Sequence, residues 1–338
     1  MRAWTLIAHG APERVLRLQQ HRRPDPAPGQ VRIRCEGFGL NYADVMAVRG
    51  LYREAPPLPS VLGYEVVGVV DALGEGTSPA LLGQRVVAFA RFGGYAEYAV
   101  TDQRALLPIP PTLPMGVAAA MATQGCTAWY AARILCPLRK GERVLIHAAA
   151  GGVGQWLVQL ALHAGCEVYA VVGGRMKADH LHALGVQHVI DRQVSDPHRV
   201  LRERLGGHRF DVSFNAVGGS TFTGDMRLLG TGGRIVLYGG SQRAATGTFG
   251  TLRFVWRMGL VVPILLMMRG RSILGINMLR IAEHHPDIIA ECLAGIKAAH
   301  DGGGYAIHVH GVFHADQLPE ALKLLASGKS SGKIVVRW

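Results

Sequence analysis

The residues best suited to chemistry in this sequence are a run of small ones. Arg143-Val-Leu-Ile-His147 reads as a strand, and it leads into Ala148-Ala149-Ala150-Gly151-Gly152-Val153-Gly154 and then an amphipathic helix containing Gln159. The spacing Ala149-x-Gly151-x-x-Gly154 between a strand and a helix is the pattern of a dinucleotide-binding turn. Gly151 lets the backbone approach a pyrophosphate, and Gly154 lets the helix pack closely on the strand. A helix starting at Gly152 offers free N–H groups and the positive end of its dipole to the phosphates. Ala149 stands where the first glycine is usual and still permits a tight turn; Ala150 and Val153 complete the set. The bland alternative is a packing turn with no ligand.

The next strand, Glu167–Val172, chooses the dinucleotide. A site for NAD places Asp or Glu about 20 residues beyond the glycines, to bind the ribose hydroxyls. Here the strand ends in Gly173-Gly174-Arg175-Met176-Lys177, with no acid. Two small residues leave room, and Arg175 and Lys177 bring positive charge, with Arg192 beyond the third strand as a further donor. That is the chemistry for a 2′-phosphate, where a guanidinium makes paired contacts. The expected cofactor is therefore NADPH. The competing reading is that these are ordinary surface cations.

The elements that must hold these residues follow from the periodicity. The first 110 residues carry short β-type runs, Val31–Cys35, Glu65–Leu73, Arg85–Phe89 and Tyr95–Val100, with one short helix around Ala43–Arg49. Pro114 then opens a long helix over Met115–Leu135. Strands and helices alternate afterwards: strand Arg143–His147, helix Gly152–Ala164, strand Glu167–Val172, helix Lys177–Leu184, strand Val189–Ile190, helix Val200–Leu205, and strands Asp211–Asn215 and Arg234–Tyr238. Such alternation predicts a parallel sheet covered on both faces. Beyond about residue 281 a helix, a strand (Ala306–Val312), a helix (Ala315–Ser327) and a strand (Ile334–Arg337) close the chain.

Composition narrows the function classes. The 338 residues carry 36 Lys+Arg against 24 Asp+Glu, a net charge of +12, and 49% are hydrophobic, so disorder is excluded. The excess charge is local: residues 1–120 hold 12 basic and 10 acidic residues, 121–280 hold 19 and 8, and 281–338 hold 5 and 6. Five scattered cysteines form neither a disulfide framework nor a zinc knuckle. The N-terminus Met1-Arg2-Ala3-Trp4 reads as a strand, without the apolar core of a signal peptide, which points to a cytoplasmic protein. The longest apolar run, Gly259 to Met268, is too short to span a bilayer.

Two positions then make a family resemblance specific. Zinc alcohol dehydrogenases of the medium-chain dehydrogenase/reductase superfamily carry a cysteine ligand, a Gly-His-Glu turn and a four-cysteine loop. This sequence reads Gly39-Leu40-Asn41-Tyr42 at the first and Gly63-Tyr64-Glu65 at the second, and it has no cysteine loop. Zinc needs three or four N, O or S ligands, so no metal is expected. The pattern Asn41-Tyr42-Ala43-Asp44, Arg49-Gly50-Leu51-Tyr52, Pro57-Leu58-Pro59 and Gly63-x-Glu65 resembles the zinc-free quinone oxidoreductase branch, including enoyl reductases. The stretch Leu51-Tyr52-x-x-x-Pro56-Pro57-Leu58-Pro59, with an apolar-basic insertion near 245–270, is similar to the vesicle-amine-transport-protein-like group.

The resemblance covers the full length and implies an α/β fold. A GroES-like β-rich catalytic domain would be formed by 1–120 and 281–338, and a doubly wound Rossmann cofactor domain by 121–280. It implies a homodimer acting on a small conjugated substrate, with Tyr52 as proton donor or as an aromatic wall of the substrate pocket. Asn41 and Thr127 would lie near the nicotinamide or its ribose. Tyr64 is a substrate-pocket hydroxyl or a packing residue, and Lys333 sits in a turn returning to the cofactor. Val217, Gly239, Gly240, Ile276 and Asn277 follow later strands, where ligands bind in this fold. Without zinc, a conjugated acceptor is the favoured substrate: its charge spreads onto an enolate or hydroquinone oxygen that hydrogen-bond donors can stabilise.

Of the fifteen histidines only His310 and His314 have H-x-x-x-H spacing, and they read as strand and loop, so no metal is assigned; His147 reads as a satisfied core residue. Residues Met226–Ala282 carry eight Arg and no acid. Arg253 and Arg257 lie at i,i+4, followed by Leu260–Met268. This segment fits a lid over a long apolar or acyl-thioester substrate, an oligomer interface, or a peripheral membrane contact through 249–271. The rival to a reductase is thus a non-catalytic membrane-associated or lipid-binding protein. Nucleic acid is not expected, since no recognition motif accompanies the charge.

Overall fold

The computed structural model describes residues 1–244 and 250–338. The chain divides into one unit made of Met1–Cys126 and Met278–Trp338 and a second made of Thr127–Asn277. The sequence pattern had placed these breaks at 120/121 and 280/281. The helical run that starts at Met115 crosses the first break without a change in residue pattern.

The first unit is built on β-sheet. One sheet has the order Leu16–Gln20, Arg2–Leu6, Ser60–Val61. A larger sheet runs Val309–His314, Lys333–Arg337, Gln30–Gly39, Glu65–Leu73, Arg85–Phe89, Leu106–Pro108, with Tyr98–Asp102 also paired to Gln30–Gly39. Gln30–Gly39 alternates buried and partly exposed residues over most of its length, which suits a strand with one face on the core. Ile33, Phe38, Val66, Val86, Tyr95 and Ile334 meet in that core. Two strands, Glu65–Leu73 and Arg85–Phe89, have the bounds read from the sequence.

The second unit is a six-stranded parallel sheet in the order His188–Asp191, Glu167–Val172, Arg143–His147, Phe210–Asn215, Leu229–Leu237, Ser272–Gly275. The order reverses direction between Arg143–His147 and Phe210–Asn215. In open α/β sheets, ligands bind beyond the carboxyl ends of the strands at such a switch point. Each central strand is buried on both faces, the first two through their aliphatic residues and Phe210–Asn215 through Phe210, Val212 and Phe214.

Five features depart from the pattern read in the sequence. The helix Met115–Leu135 is present, but two stretches, Met121–Gly125 and Tyr130–Leu135, are wound as π-helix. Ser220–Leu228 is a helix and Ser272–Gly275 an edge strand, neither evident from periodicity. The strand ending near Leu237 starts at Leu229, through three glycines that hid it. The acid-free segment forms two helices, Gly250–Met258 and Pro263–Arg269; its residues 245–249 lie outside the described residues.

Candidate active site and its family

In the second unit, the glycine turn is built as its spacing demands. An added Cβ at Gly154 would lie 2.3 Å from the Ala148 carbonyl oxygen and 2.7 Å from Ala149, so only glycine lets helix and strand approach this closely. Ala148 is held at φ 51°, a backbone region that L-residues rarely occupy. Its carbonyl accepts the Gly151 N–H at 2.8 Å. The helix Gly152–His163 starts at Gly151 with no side-chain cap on its first amides. Uncapped amides at a helix N-terminus, approached by a glycine backbone, are a site for an anionic oxygen. Ala150 is buried, while Gly151, Gly152 and Val153 are partly exposed.

At the end of the next strand, Gly173 and Gly174 adjoin Arg192. A Cβ at Gly173 would be 3.1 Å from the Arg192 guanidinium. Gly174 takes φ 105°, open to glycine alone, and starts the helix Arg175–Ala183. Lys177 is half-buried, and burial, with Arg192 beside it, pushes its ammonium pKa down. The two cations thus lie close enough to act on each other. Arg175 points away: its side chain is 93% exposed and lies 3.8 Å from Asp179. Of the three predicted phosphate ligands, the structure brings together Lys177 and Arg192 but not Arg175.

The later loops are also placed at carboxyl ends of strands. Asn215 Oδ1 accepts the N–H groups of Val217 at 2.9 Å and Gly218 at 2.8 Å. The Ala216 and Val217 carbonyls accept N–H groups of Ser241 and Gln242, each at 3.1 Å, which ties Val217 to the loop of Gly239 and Gly240. Ile276 and Asn277 follow the edge strand, and Thr127 is a buried helix residue at the start of the unit.

In the first unit, Asn41 caps the helix Tyr42–Val48 in a reciprocal box with Asp44. Its Nδ2 donates to Glu65 Oε1 at 2.9 Å. The Lys333 ammonium donates to the same Glu65 oxygen, to the Leu40 carbonyl at 3.3 Å and to Asn41 Oδ1 at 3.4 Å. Lys333 and Glu65 are both fully buried. Burial lowers the Lys333 pKa, and Glu65 and then Asp44 oppose that shift. Gly39 makes room for the pair, since a Cβ there would be 2.3 Å from Lys333 Cε and 2.4 Å from Glu65 Oε1.

Beside this cluster stand two tyrosines. Tyr64 is 1% exposed, and its hydroxyl has no partner among the described residues. Its ring meets Tyr52 edge-on at 6.2 Å and Phe92 at 5.1 Å. Phe92 has φ 67°, a strained conformation for a bulky residue. Burial, then Glu54 and Asp44, push the Tyr52 phenol up to about 12, so it stays protonated and able to donate. Burial also lifts Asp44 to about 7, against the Asn41 N–H that favours its charged form.

These geometries have relatives. Residues 27–111 match the alcohol dehydrogenase GroES-like domain, and 152–294 match the zinc-binding dehydrogenase family. The human synaptic vesicle membrane protein VAT-1 homolog is 31% identical over 319 residues, covering 93% of this chain and 80% of that protein. The Escherichia coli quinone oxidoreductase complexed with NADPH superposes with a TM-score of 0.87 at 26% identity, covering 100% of both chains. The CurK enoyl reductase does so with a TM-score of 0.85 at 25% identity, covering 99% of both.

The chain belongs to the zinc-free quinone oxidoreductase branch of the medium-chain dehydrogenase/reductase superfamily.

A mycocerosic acid synthase-like polyketide synthase of Mycobacterium tuberculosis also matches, at 28% identity over 93% of this chain; the chain spans only 14% of that protein. Within the branch, the two positions that carry zinc ligands in the metal-dependent dehydrogenases are filled by an amide committed to Glu65 and Lys333 and by a phenol, Tyr64.

Sequence reading missed several residues that shape these sites. Asp191 accepts the N–H groups of Gly174 and Gln193, each at 2.9 Å, and so holds the loop carrying Arg192. An acid at the end of a predicted strand was its one available signal. His147 is a satisfied core residue, but its partner is Asp225, which also binds His198. Ligand atoms of these three lie within 4.8 Å of one another, as a metal site would require. Each imidazole Nε2 is within hydrogen-bonding distance of the carboxylate, so the atoms a metal would use are spent on one another.

Proposed function

We propose that this protein is an NADPH-dependent, zinc-independent reductase that passes hydride to a conjugated acceptor, a quinone or an α,β-unsaturated carbonyl. The observation that carries the reading is the Lys177–Arg192 pair beside two glycines at the end of the second strand, with no acid in the glycines' place. NADPH, when bound, supplies the hydride. The helix start at Gly152 would bind its pyrophosphate, and Gly151 and Gly154 would admit it. Lys177 and Arg192 would bind the 2′-phosphate. Tyr52 would hold a proton at its phenol oxygen for the developing enolate or hydroquinone oxygen. Asn41 is held by Glu65 and Lys333 at the start of its helix, and its second amide N–H would face the nicotinamide or its ribose. The NADPH-bound quinone oxidoreductase and the enoyl reductase among the similar structures support the same reading.

The test is oxidation of NADPH and NADH with a panel of quinones, enones and enoyl thioesters. Turnover with NADPH well above NADH is expected. No turnover with any member would overturn the reading.

One observation favours a second property, contact with an anionic membrane. In the helices Gly250–Met258 and Pro263–Arg269 and the turn between them, Trp256 is 82% and Leu260 90% exposed, with Leu252, Met267 and Met268 also exposed. Arg253 and Arg269 are exposed alongside them. Among the described residues no single helix is long and apolar enough to cross a membrane; this pair, bent by 40°, passes on length and composition together. Apolar and basic side chains side by side suit the interface of an anionic bilayer. Co-sedimentation with phosphatidylserine vesicles, lost in Arg253→Glu/Arg257→Glu, is the expected result. A second copy of the chain covering this face would appear instead as a dimer broken by Trp256→Glu.

A further inference from the structure

Asp225 is a fully buried carboxylate in the helix Ser220–Leu228, with no part in the chemistry above. His147 Nε2 lies 2.9 and 3.0 Å from its two oxygens, and His198 Nε2 lies 2.8 Å from Oδ1. Ser213 Oγ and Asn215 Nδ2 each donate to Oδ2 at 2.7 Å. Burial alone would raise the carboxyl pKa; His147 and His198 overcome it and hold the group well below the usual carboxylate range. An ionised carboxylate only accepts, so each imidazole presents an N–H.

These partners lead to three parts of the dinucleotide site. His147 is the last residue of its strand and precedes Ala148, whose carbonyl closes the glycine turn. Asn215 has its amide fixed by Asp225, and its other end holds the Val217 and Gly218 N–H groups. His198 lies in the first turn of the helix Pro197–Leu205, which follows the loop carrying Arg192. The arrangement has a built feature of its own. Gly224 is in mid-helix, where glycine is unfavourable, yet a Cβ there would be 2.3 Å from His198 Nε2.

We propose that Asp225 is a positioning residue that locks the glycine turn, the 215–218 loop and the helix after Arg192 into one arrangement competent for the dinucleotide. This rests on the NADPH reading. Asp225→Asn removes the charge and turns an amide N–H toward groups that already donate. NADPH is expected to bind about tenfold more weakly or worse, as leaving buried donors unsatisfied implies. In the cofactor-free protein, amide hydrogen exchange at Val217 and Gly218 should accelerate by about the same factor, while Val144–Ile146 in the neighbouring strand keep their protection. His198→Leu, at the more accessible edge of the cluster, keeps the test open if Asp225→Asn does not fold. It should weaken NADPH binding by about threefold or more through loss of one charge-assisted hydrogen bond. Unchanged NADPH affinity in either folded variant would overturn the proposal. So would exchange that accelerates uniformly across the sheet, or equimolar zinc in the purified protein that His198→Leu removes. Wild-type protein that binds neither dinucleotide refutes the cofactor reading instead, and the exchange at Val217 and Gly218 still reports on Asp225.

Discussion

Lys177 and Arg192 can be tested by asking which dinucleotide notices their loss. Burial and Arg192 both lower the Lys177 pKa, so the two cations act on each other and both would feel an added anion. Two unit charges about 4 Å apart attract by about 4 kcal/mol at an effective dielectric of about 20. Lys177 is half-buried and Arg192 exposed, which cuts the net contribution of each to about 1 kcal/mol. Each 1.4 kcal/mol is about tenfold in affinity. Arg192→Ala or Lys177→Ala should therefore weaken NADPH by about fivefold and leave NADH nearly untouched. The double variant should lose less than the product of the two, because each single change also relieves a repulsion felt by the other cation. Arg175→Ala should change neither affinity, since its side chain is 93% exposed and faces Asp179. The assay is titration of both dinucleotides at fixed salt, followed by protein fluorescence. Equal losses for NADPH and NADH in Arg192→Ala would refute the assignment, and so would a loss in Arg175→Ala matching that in Arg192→Ala.

Tyr52→Phe should lower kcat by about tenfold or more with the KM for NADPH unmoved, as loss of a general acid predicts; because burial holds the phenol at about 12, the wild-type rate should show no decline from Tyr52 ionisation below pH 10. Gly154→Val should abolish binding of both dinucleotides in a titration of the folded protein, because its Cβ would meet the backbone of Ala148 at 2.3 Å and of Ala149 at 2.7 Å. Asp44, raised to about 7, keeps its proton in the folded state between about pH 4 and 7 while the unfolded chain releases it. Stability should therefore fall as pH rises through that window, by up to about 4 kcal/mol, and denaturation curves of Asp44→Asn should lack that dependence. Lys333→Met should destabilise by about 3–5 kcal/mol, and adding Glu65→Gln should recover part of the loss, since an unpaired buried charge costs more than its absence.

What could be read from the sequence was whatever repeats locally. The turn Ala149–Gly154 declares itself because its glycines sit at fixed distances from a strand and a helix start. Glu65–Leu73 and Arg85–Phe89 are bounded by glycine and loop residues, so their ends were visible. Ser220–Leu228 was not, since Ser, Thr and Gly are weak helix formers and tertiary packing decides there. The clusters that organise the sites join distant positions, 147 with 198 and 225, and 41 with 65 and 333. No period links such positions, and only the sheet order brings them together. Arg175 shows the converse: correct in type and spacing, it was turned to solvent by the helix phase. Part of the basic excess in 226–282 likewise proves structural, as Arg271 donates to the Met226 and Leu229 carbonyls and Arg280 to Glu54.

The loss of zinc in this branch and the buried Lys333–Glu65 pair are connected by position. Asn41 and Tyr64 stand where the metal-dependent relatives carry ligands, and Glu65 follows Tyr64 directly. The Lys333 ammonium contacts Leu40, Asn41 and Glu65, so a fixed positive charge lies behind the very segments that would have framed a metal. Taking an ammonium and a carboxylate out of water costs several kcal/mol per ion, and replacing such pairs by apolar groups is often neutral. Packing stability alone is therefore a weak reason for this pair. What it does supply is orientation: Glu65 accepts from Asn41 through one oxygen and from the Thr123 N–H at 2.8 Å through the other, linking the 39–44 segment to the first π-helical stretch of the long helix. A hydrogen-bonded charge pair that admits one geometry does for the backbone what a metal's coordination sphere would do, without a Lewis acid.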